Sequence, residues 1–399
     1  MFRLKIIFLL FLITTLTMLG CSSDEQKKVA HYKKGLAYFD KGEFKSARLE
    51  FKNAIQIDPK YVAAYEKLGE ANLKIGDAQG AFRAYSNLTE LEPENTAAQL
   101  KLATFLILAK EFEDSRKKLD TVLNREPTNV DALLVLAGML SQEGNFSESE
   151  ATFRKVLEID DQEIRAHLGL AYLLVPQGRV AEAEEFLQKA MDIAPGERKT
   201  RLALFKLYNS QNKFDEADAQ IKKLVADYPE DVDVAILLGN FYLRQEKQNE
   251  AEAAYLKAAE INPQEIKPYM ALANFYEAVG NPEKTLASYQ KAKELEPENV
   301  QIRLAIARYY LAQGAVEDAE NQVSEILSNR PNYFPARLLK AEILITRQEF
   351  SSAIEILDQL IKEDPRDARG HYFKGFAHFA KGEVKSAKIA LATAVDLQP

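Results

Sequence analysis

Four polar residues stand one period apart in the middle of this chain: Lys206, Asn240, Asn274 and Arg308, at intervals of 34 residues. Lys199 and Lys267 precede the first and third of them by seven residues, about two helical turns. An asparagine amide carries an acceptor oxygen and two donor hydrogens, the complement of an extended peptide backbone. Lysine and arginine hold carboxylates through charge-assisted hydrogen bonds. This stripe is the first candidate site, and peptides or protein segments are its candidate ligands. A second candidate is aromatic. Tyr372, Phe373, Phe376 and Phe379 fall within eight residues, more rings than one helix pair needs for its own core. Such rings stack on sugars or anchor a partner helix.

Catalysis is not expected. The four histidines, His31, His167, His371 and His378, form no H-E-x-x-H pattern, and no glycine-rich phosphate loop is present. His371 and His378 share a helical face two turns apart, a spacing that a metal could bridge only with distortion, so packing or solvation is the better reading. No metal and no cofactor is expected. The 52 basic and 60 acidic residues leave a net charge of −8, and no clustered basic stretch suggests nucleic-acid binding.

The elements that must position the stripe are helices, and Val232 to Glu265 displays them best. Gly239 and Tyr242 lie in a first helical run. Ala251, Tyr255 and Ala258 follow at i, i+4, i+7 in a second, and Pro263 closes the segment. Prolines recur at 59, 93, 127, 195, 229, 263, 297, 331, 365 and 399, every gap being 34 except one of 68, where Asp161 takes the missing slot. The register is eleven repeats starting at 28, 62, 96, 130, 164, 198, 232, 266, 300, 334 and 368. Position 20 is small in every repeat, from Ala47 to Ala387. Position 8 is Gly or Ala in all but repeat 6, which has Phe205. Small residues at both places let two helices approach closely. Position 24 is large and apolar, from Phe51 and Tyr85 through Tyr255 and Tyr289 to Leu391, and is expected to fill the gap to the neighbouring repeat. Seven repeats carry glycine at position 15, the expected residue beyond a helix C-terminus. In repeat 7, Ala251, Tyr255, Ala258 and Pro263 read as architectural, leaving Asn240 as its only candidate site residue.

A 34-residue helix–turn–helix with small 8, small 20, large 24 and Pro 32 resembles the tetratricopeptide repeat, over residues 28–399. The resemblance implies an all-α fold, a right-handed α-solenoid whose first helices line a concave face. In that family ligands contact positions 2, 5, 9, 12 and 13 of the first helix. Lys206, Asn240, Asn274 and Arg308 occupy position 9, and Lys199 and Lys267 occupy position 2. Three departures stand out. Repeat 3 has neither glycine, repeat 4 lacks its proline, and Pro176 falls near the end of a first helix, where it clashes with the carbonyl of Tyr172. A local change of superhelical pitch is expected near residues 160–180.

Residues 1–20 read differently. Arg3 and Lys5 precede an apolar run from Ile6 to Leu19, too short for a transmembrane helix and laid out as a secretory signal. The run ends in Met18-Leu19-Gly20-Cys21, and Cys21 is the only cysteine. This resembles the bacterial lipoprotein lipobox, with Leu19 in place of a commoner smaller residue. The resemblance implies that Cys21 becomes the acylated first residue of the mature chain, anchored by several acyl chains. Ser22, rather than aspartate, favours the periplasmic side of the outer membrane over the inner membrane. Without Arg3 and Lys5 the charge is near −10. Residues 21–27 form a short linker. Six extended residues span at most about 20 Å, so the repeats start close to the membrane surface. At the other end the sequence stops at Pro399 without a polar capping helix, so a longer chain or a covering partner is expected.

The function expected is a non-catalytic, lipid-anchored scaffold of the bacterial cell envelope that holds other envelope proteins or peptides, with polysaccharide a further candidate ligand. Lys52-Asn53-Ala54-Ile55-Gln56 and Asp58-Pro59 resemble the opening repeat of the tetratricopeptide lipoproteins found beside exosortase and exopolysaccharide genes. That implies exopolysaccharide export or surface protein sorting. The alternatives are an assembly lipoprotein for outer-membrane proteins or pili, and the targeting half of a longer enzyme.

Overall fold

The turns that join the helices are built one way throughout. In a computed structural model that describes residues 23–398, position 15 of every repeat takes a left-handed backbone conformation. Seven of these residues are glycines, from Gly42 to Gly382, with φ between 75° and 91°. The other four are Lys110, Asn212, Glu246 and Gln348, with φ of 59° to 65°. The amide after each one reaches back to the carbonyl near the end of the preceding helix, as in Asp77 N–H to Asn72 O at 2.9 Å and Lys247 N–H to Tyr242 O at 3.0 Å. This is the Schellman end, which satisfies carbonyls the helix leaves unpaired. The turn geometry is thus independent of glycine, and the four exceptions carry the strain of an L-residue held at positive φ.

Among the described residues there are twenty-two α-helices and no strand. First helices begin at Val62, Thr96, Val130, Ile164, Arg198, Val232, Ile266, Val300, Phe334 and Ala368. The first helix of repeat 1 begins earlier, at Asp24, because Ser23 caps it and Gln26 completes a capping box. The chain divides between Leu207 and Tyr208 into two compact units, inside the first helix of repeat 6. Within each unit consecutive helices pack on one another, and first helices of neighbouring repeats touch, as Val232–Arg244 touches Ile266–Ala278. Among the described residues no helix is long and apolar enough to cross a membrane. The signal sequence and Cys21 lie outside the described residues.

Position 24 does more than fill a gap between repeats. Tyr255 meets Phe275 of the next repeat, ring centroids 5.4 Å apart, as expected. Its ring also lies directly on Gly239 of its own repeat, where an added Cβ would come within 2.6 Å of Cε1. Gly35 lies under Phe51, Gly69 under Tyr85 and Gly375 under Leu391 in the same way. Glycine at position 8 is therefore a seat for residue 24. In repeat 4, where position 8 is Ala137, Phe153 turns instead onto Gly169 of the following repeat. Two repeats place serine at position 20. Ser115 and Ser149 each donate a buried hydroxyl to the position 8 carbonyl, at 3.0 and 2.7 Å, so the added polarity is satisfied.

The junctions between repeats explain two of the histidines. Position 4 of a first helix repeatedly donates to the carbonyl at position 32 of the repeat before it. Gln99 reaches Pro93 O at 2.7 Å, Tyr269 reaches Pro263 O at 3.2 Å, and Arg303 reaches Pro297 O at 3.0 Å. His371 Nε2 reaches Pro365 O at 3.1 Å, and His167 Nε2 reaches Asp161 O at 2.9 Å. The repeat 4 junction thus keeps the same clamp without its proline. Pro176 is absorbed by ending the helix early: Ile164–Leu174 gives way to the 3₁₀ turn Val175–Gln177, and Gln177 Nε2 donates to Leu173 O at 2.8 Å.

Candidate functional site

Position 9 of a first helix carries an exposed residue in most repeats. Asn240 and Asn274 both lie so, on Val232–Arg244 and Ile266–Ala278. Between these helices runs a groove of about 410 Å³. Asn240, Lys267 and Asn274 line it together, with Ile236, Leu243 and Met270 as its apolar wall and Tyr255 and Phe275 at its base.

Each asparagine is met from below by a tyrosine. Tyr255 Oη donates to Asn240 Oδ1 at 2.7 Å. Tyr289 Oη lies 3.4 Å from Asn274 Oδ1 and 3.5 Å from Glu277 Oε2. Burial pushes the Tyr255 phenol up to about 12, and burial with the Glu277 charge does the same for Tyr289. Both phenols therefore stay protonated at neutral pH. Neither tyrosine was legible as a site residue, because position 24 reads as core.

The remaining members of the stripe are dispersed. Lys267 is not a free cation: its Nζ is 2.9 Å from Asp233 Oδ1, at position 2 of the preceding repeat, and that bond raises its pKa. Lys199 and Lys206 are exposed and belong to the first compact unit, so they are not members of this groove. Arg308 lines a different hollow of about 560 Å³ with Leu338, Glu342, Arg369, Tyr372, Phe373 and Leu391. Burial pushes the Glu342 carboxyl up, against the opposing charges of Arg308 and Arg369. Glu342 stands at position 9 of repeat 10, so extending the stripe by one period finds it.

The aromatic candidate divides, three of its members being exposed and one part-buried. Tyr372, Phe376 and Phe379 are exposed, at 52%, 47% and 64%. Phe373 instead packs on the buried cluster of Leu338, Ala341, Leu344 and Ala377. Its ring is a T-shaped neighbour of Tyr372, centroids 5.3 Å apart. His378 Nδ1 pairs with Glu383 at 2.5 Å and His371 with a loop carbonyl, so both rings have partners of their own. Among the described residues no group of His, Cys, Asp or Glu could hold a metal.

The first compact unit has a groove of its own, about 580 Å³, lined by Phe39, Glu66, Glu70, Leu73, Lys74 and Tyr85, among others. Tyr85 stands over Gly69 as Tyr255 stands over Gly239, but position 9 is Glu70. Burial, then the charges of Glu70 and Glu66, pushes the Tyr85 phenol up to about 12.

Comparison with known proteins gives consistent results. Tetratricopeptide repeat profiles match residues 140–198, 174–241, 276–343 and 324–375, and a further one matches 232–265. A profile described as the cytochrome c-type biogenesis protein H TPR domain matches residues 26–167. No curated protein matches the sequence. Among solved structures, yeast Tom70 is 16% identical with a TM-score of 0.52, over 94% of this chain and 93% of that one. A tetratricopeptide repeat protein from Parabacteroides merdae is 22% identical with a TM-score of 0.51, over 66% of this chain and 99% of that one. At these identities the likeness is one of fold.

Proposed function

The chain belongs to the tetratricopeptide repeat family, and on that premise we propose that the groove between repeats 7 and 8 is where it holds a protein partner. Such repeats mediate protein–protein interaction, and the chain is a protein-interaction scaffold. One observation carries the choice of groove: two exposed asparagines one repeat apart share a groove with an apolar wall. Polar side chains that face an extended backbone supply orientation, and the apolar wall supplies burial. The scaffold is read as non-catalytic, as solenoids of such repeats typically are. Asn240→Ala with Asn274→Ala should abolish recovery of partners bound by the wild-type chain in its own cell lysate while leaving the helical content, read by far-UV circular dichroism, unchanged. Full recovery by the double variant would remove this groove from consideration.

The setting of that scaffold is the cell envelope, with Cys21 as its lipid anchor. The support is the apolar run ending at the sole cysteine. Cys21→Ala should move the chain from the membrane fraction to the soluble one, and persistence in the membrane would sink the anchor. The service is export of exopolysaccharide or sorting of surface proteins, resting on the segment from Lys52 to Pro59. Deleting the gene should lower secreted polymer, and an unchanged yield contradicts it. A second reading, assembly of envelope proteins, has in its favour the likeness of residues 26–167 to the repeat domain of a cytochrome c-type biogenesis protein. Co-purification with an assembly complex, at normal polymer yield, would favour it.

A further inference from the structure

We propose that Tyr255 and Tyr289 are positioning residues of the groove: each holds the asparagine at position 9 of its own repeat by the amide oxygen, so that Asn240 and Asn274 present N–H donors and the ligand is taken by its backbone carbonyls. This rests on reading the groove as a protein-binding surface and adds what that surface recognises.

The geometry is that of a ring passed through a slot. Tyr255 is only 1% exposed, yet its hydroxyl bonds an exposed side chain. The passage exists because Gly239 has no Cβ; one placed there would sit 2.6 Å from the ring. The direction of the bond follows from cost. A buried hydroxyl whose hydrogen has no acceptor loses more free energy than one whose lone pair goes unused. Among the described residues the side-chain partner of Tyr255 Oη is Asn240, at 2.7 Å, so the phenol donates and the amide oxygen accepts. Both Nδ2 hydrogens of Asn240 are then left for the groove.

A groove that offers donors selects a ligand rich in acceptors at regular intervals. An extended polypeptide presents its carbonyls in that way, whatever its side chains. Lys267, tied to Asp233, adds little competing charge. Repeat 8 carries the same device in a looser form. Ala273 replaces the glycine, and the Tyr289 hydroxyl is shared between Asn274 at 3.4 Å and Glu277 at 3.5 Å. Asn240 is accordingly the better-held donor of the two.

The test uses the full chain and a phage-displayed library of random 12-residue peptides, from which the best binder is synthesised and titrated. Tyr255→Phe keeps the ring and removes only the hydroxyl. It should weaken the peptide roughly five-fold, the equivalent of one hydrogen bond, at an unchanged melting temperature. Tyr289→Phe should weaken it less. Tyr255→Phe combined with Asn240→Ala should be no weaker than Asn240→Ala alone. Replacing a contacted peptide carbonyl by a thioamide should weaken binding, and N-methylation of the same bond should not. A peptide weakened by Asn240→Ala but indifferent to Tyr255→Phe, or additive losses in the double variant, would overturn the positioning role and leave the groove standing. No binder, or one indifferent to Asn240→Ala, would overturn the groove and this inference together.

Discussion

Gly69 with Tyr85 in repeat 2 and Gly239 with Tyr255 in repeat 7 make the same slot, one in each compact unit, but the slots open onto different chemistry. Above Tyr85 stands Glu70, with Glu66 beside it and Lys67 paired to Glu70 at 2.8 Å. Above Tyr255 stands Asn240, which accepts the phenol's hydrogen. At position 9, repeat 2 therefore presents a charged acceptor, and repeat 7 a neutral amide whose remaining hydrogens are donors. The scaffold positions, 8, 20 and 24, are the same in both. What differs over the tyrosine is position 9, which lies outside the core of its own repeat. On the proposed reading, partner choice is written at positions of that kind, and the core holds them from beneath.

The largest test of that comparison removes the rings. Tyr85→Ala and Tyr255→Ala should each cost about 3–5 kcal/mol, measured as loss of hydrogen-exchange protection in the affected repeat. A loss confined to one of the two would break the equivalence of the slots. Closing the slot comes next. Gly69→Ala, Gly239→Ala and Ala251→Leu should each cost about 1–3 kcal/mol through overpacking, and unchanged melting in any of them would contradict the packing described.

The turns differ between the same two repeats, in the opposite sense. Repeat 2 has Gly76 at positive φ where repeat 7 has Glu246. Gly76→Ala should destabilise by about 1–2 kcal/mol and Glu246→Gly should stabilise by up to about 1 kcal/mol, read from urea unfolding. Equal signs would show that Glu246 gains something at that position which offsets its backbone strain.

The smallest effects concern the phenols. Their folded pKa values, near 12, lie above the ordinary tyrosine value of 10, so the stability they lend is complete below about pH 10. It is lost as pH rises from about 10 toward 12. Absorbance at 295 nm should show Tyr85 and Tyr255 ionising late, and Tyr255→Phe should remove one late titration. Glu70→Asn should bring the Tyr85 midpoint down, since the Glu70 charge helps hold it up, with a change in stability below about 0.5 kcal/mol. An unmoved midpoint would mean that burial alone sets it.

Much of this architecture is legible in the residues alone. The prolines from 59 to 365 place the turns, and the small residues at 8 and 20 mark where helices meet. Asn240, Lys267 and Asn274, which spacing singles out, line one groove. The other members of the stripe do not join them, for a common reason: spacing says which face a residue occupies and not what stands beside it. Even Lys267 has Asp233 one repeat away, and Arg308 keeps company with Glu342 and Tyr372. Phe373 sits one residue from an exposed tyrosine and faces a core. Tyr255 reads as architectural because nothing in a linear period shows that a ring can reach past the helix above it.

The sequence by itself determined the helices, their register and the positions where they touch. Those follow from local rules: 3.6-residue periodicity, helix ends and small residues where backbones approach. Tertiary structure alone decided which polar groups were left to offer a ligand. That depends on through-space neighbours 15 residues along the chain in the case of Asn240 and Tyr255, and 34 in the case of Lys267 and Asp233. It also decided that Lys110, Asn212, Glu246 and Gln348 take a backbone conformation their residue types disfavour. Each does so because the packed helices on either side fix the turn between them, and the free energy of that packing exceeds the strain at a single residue.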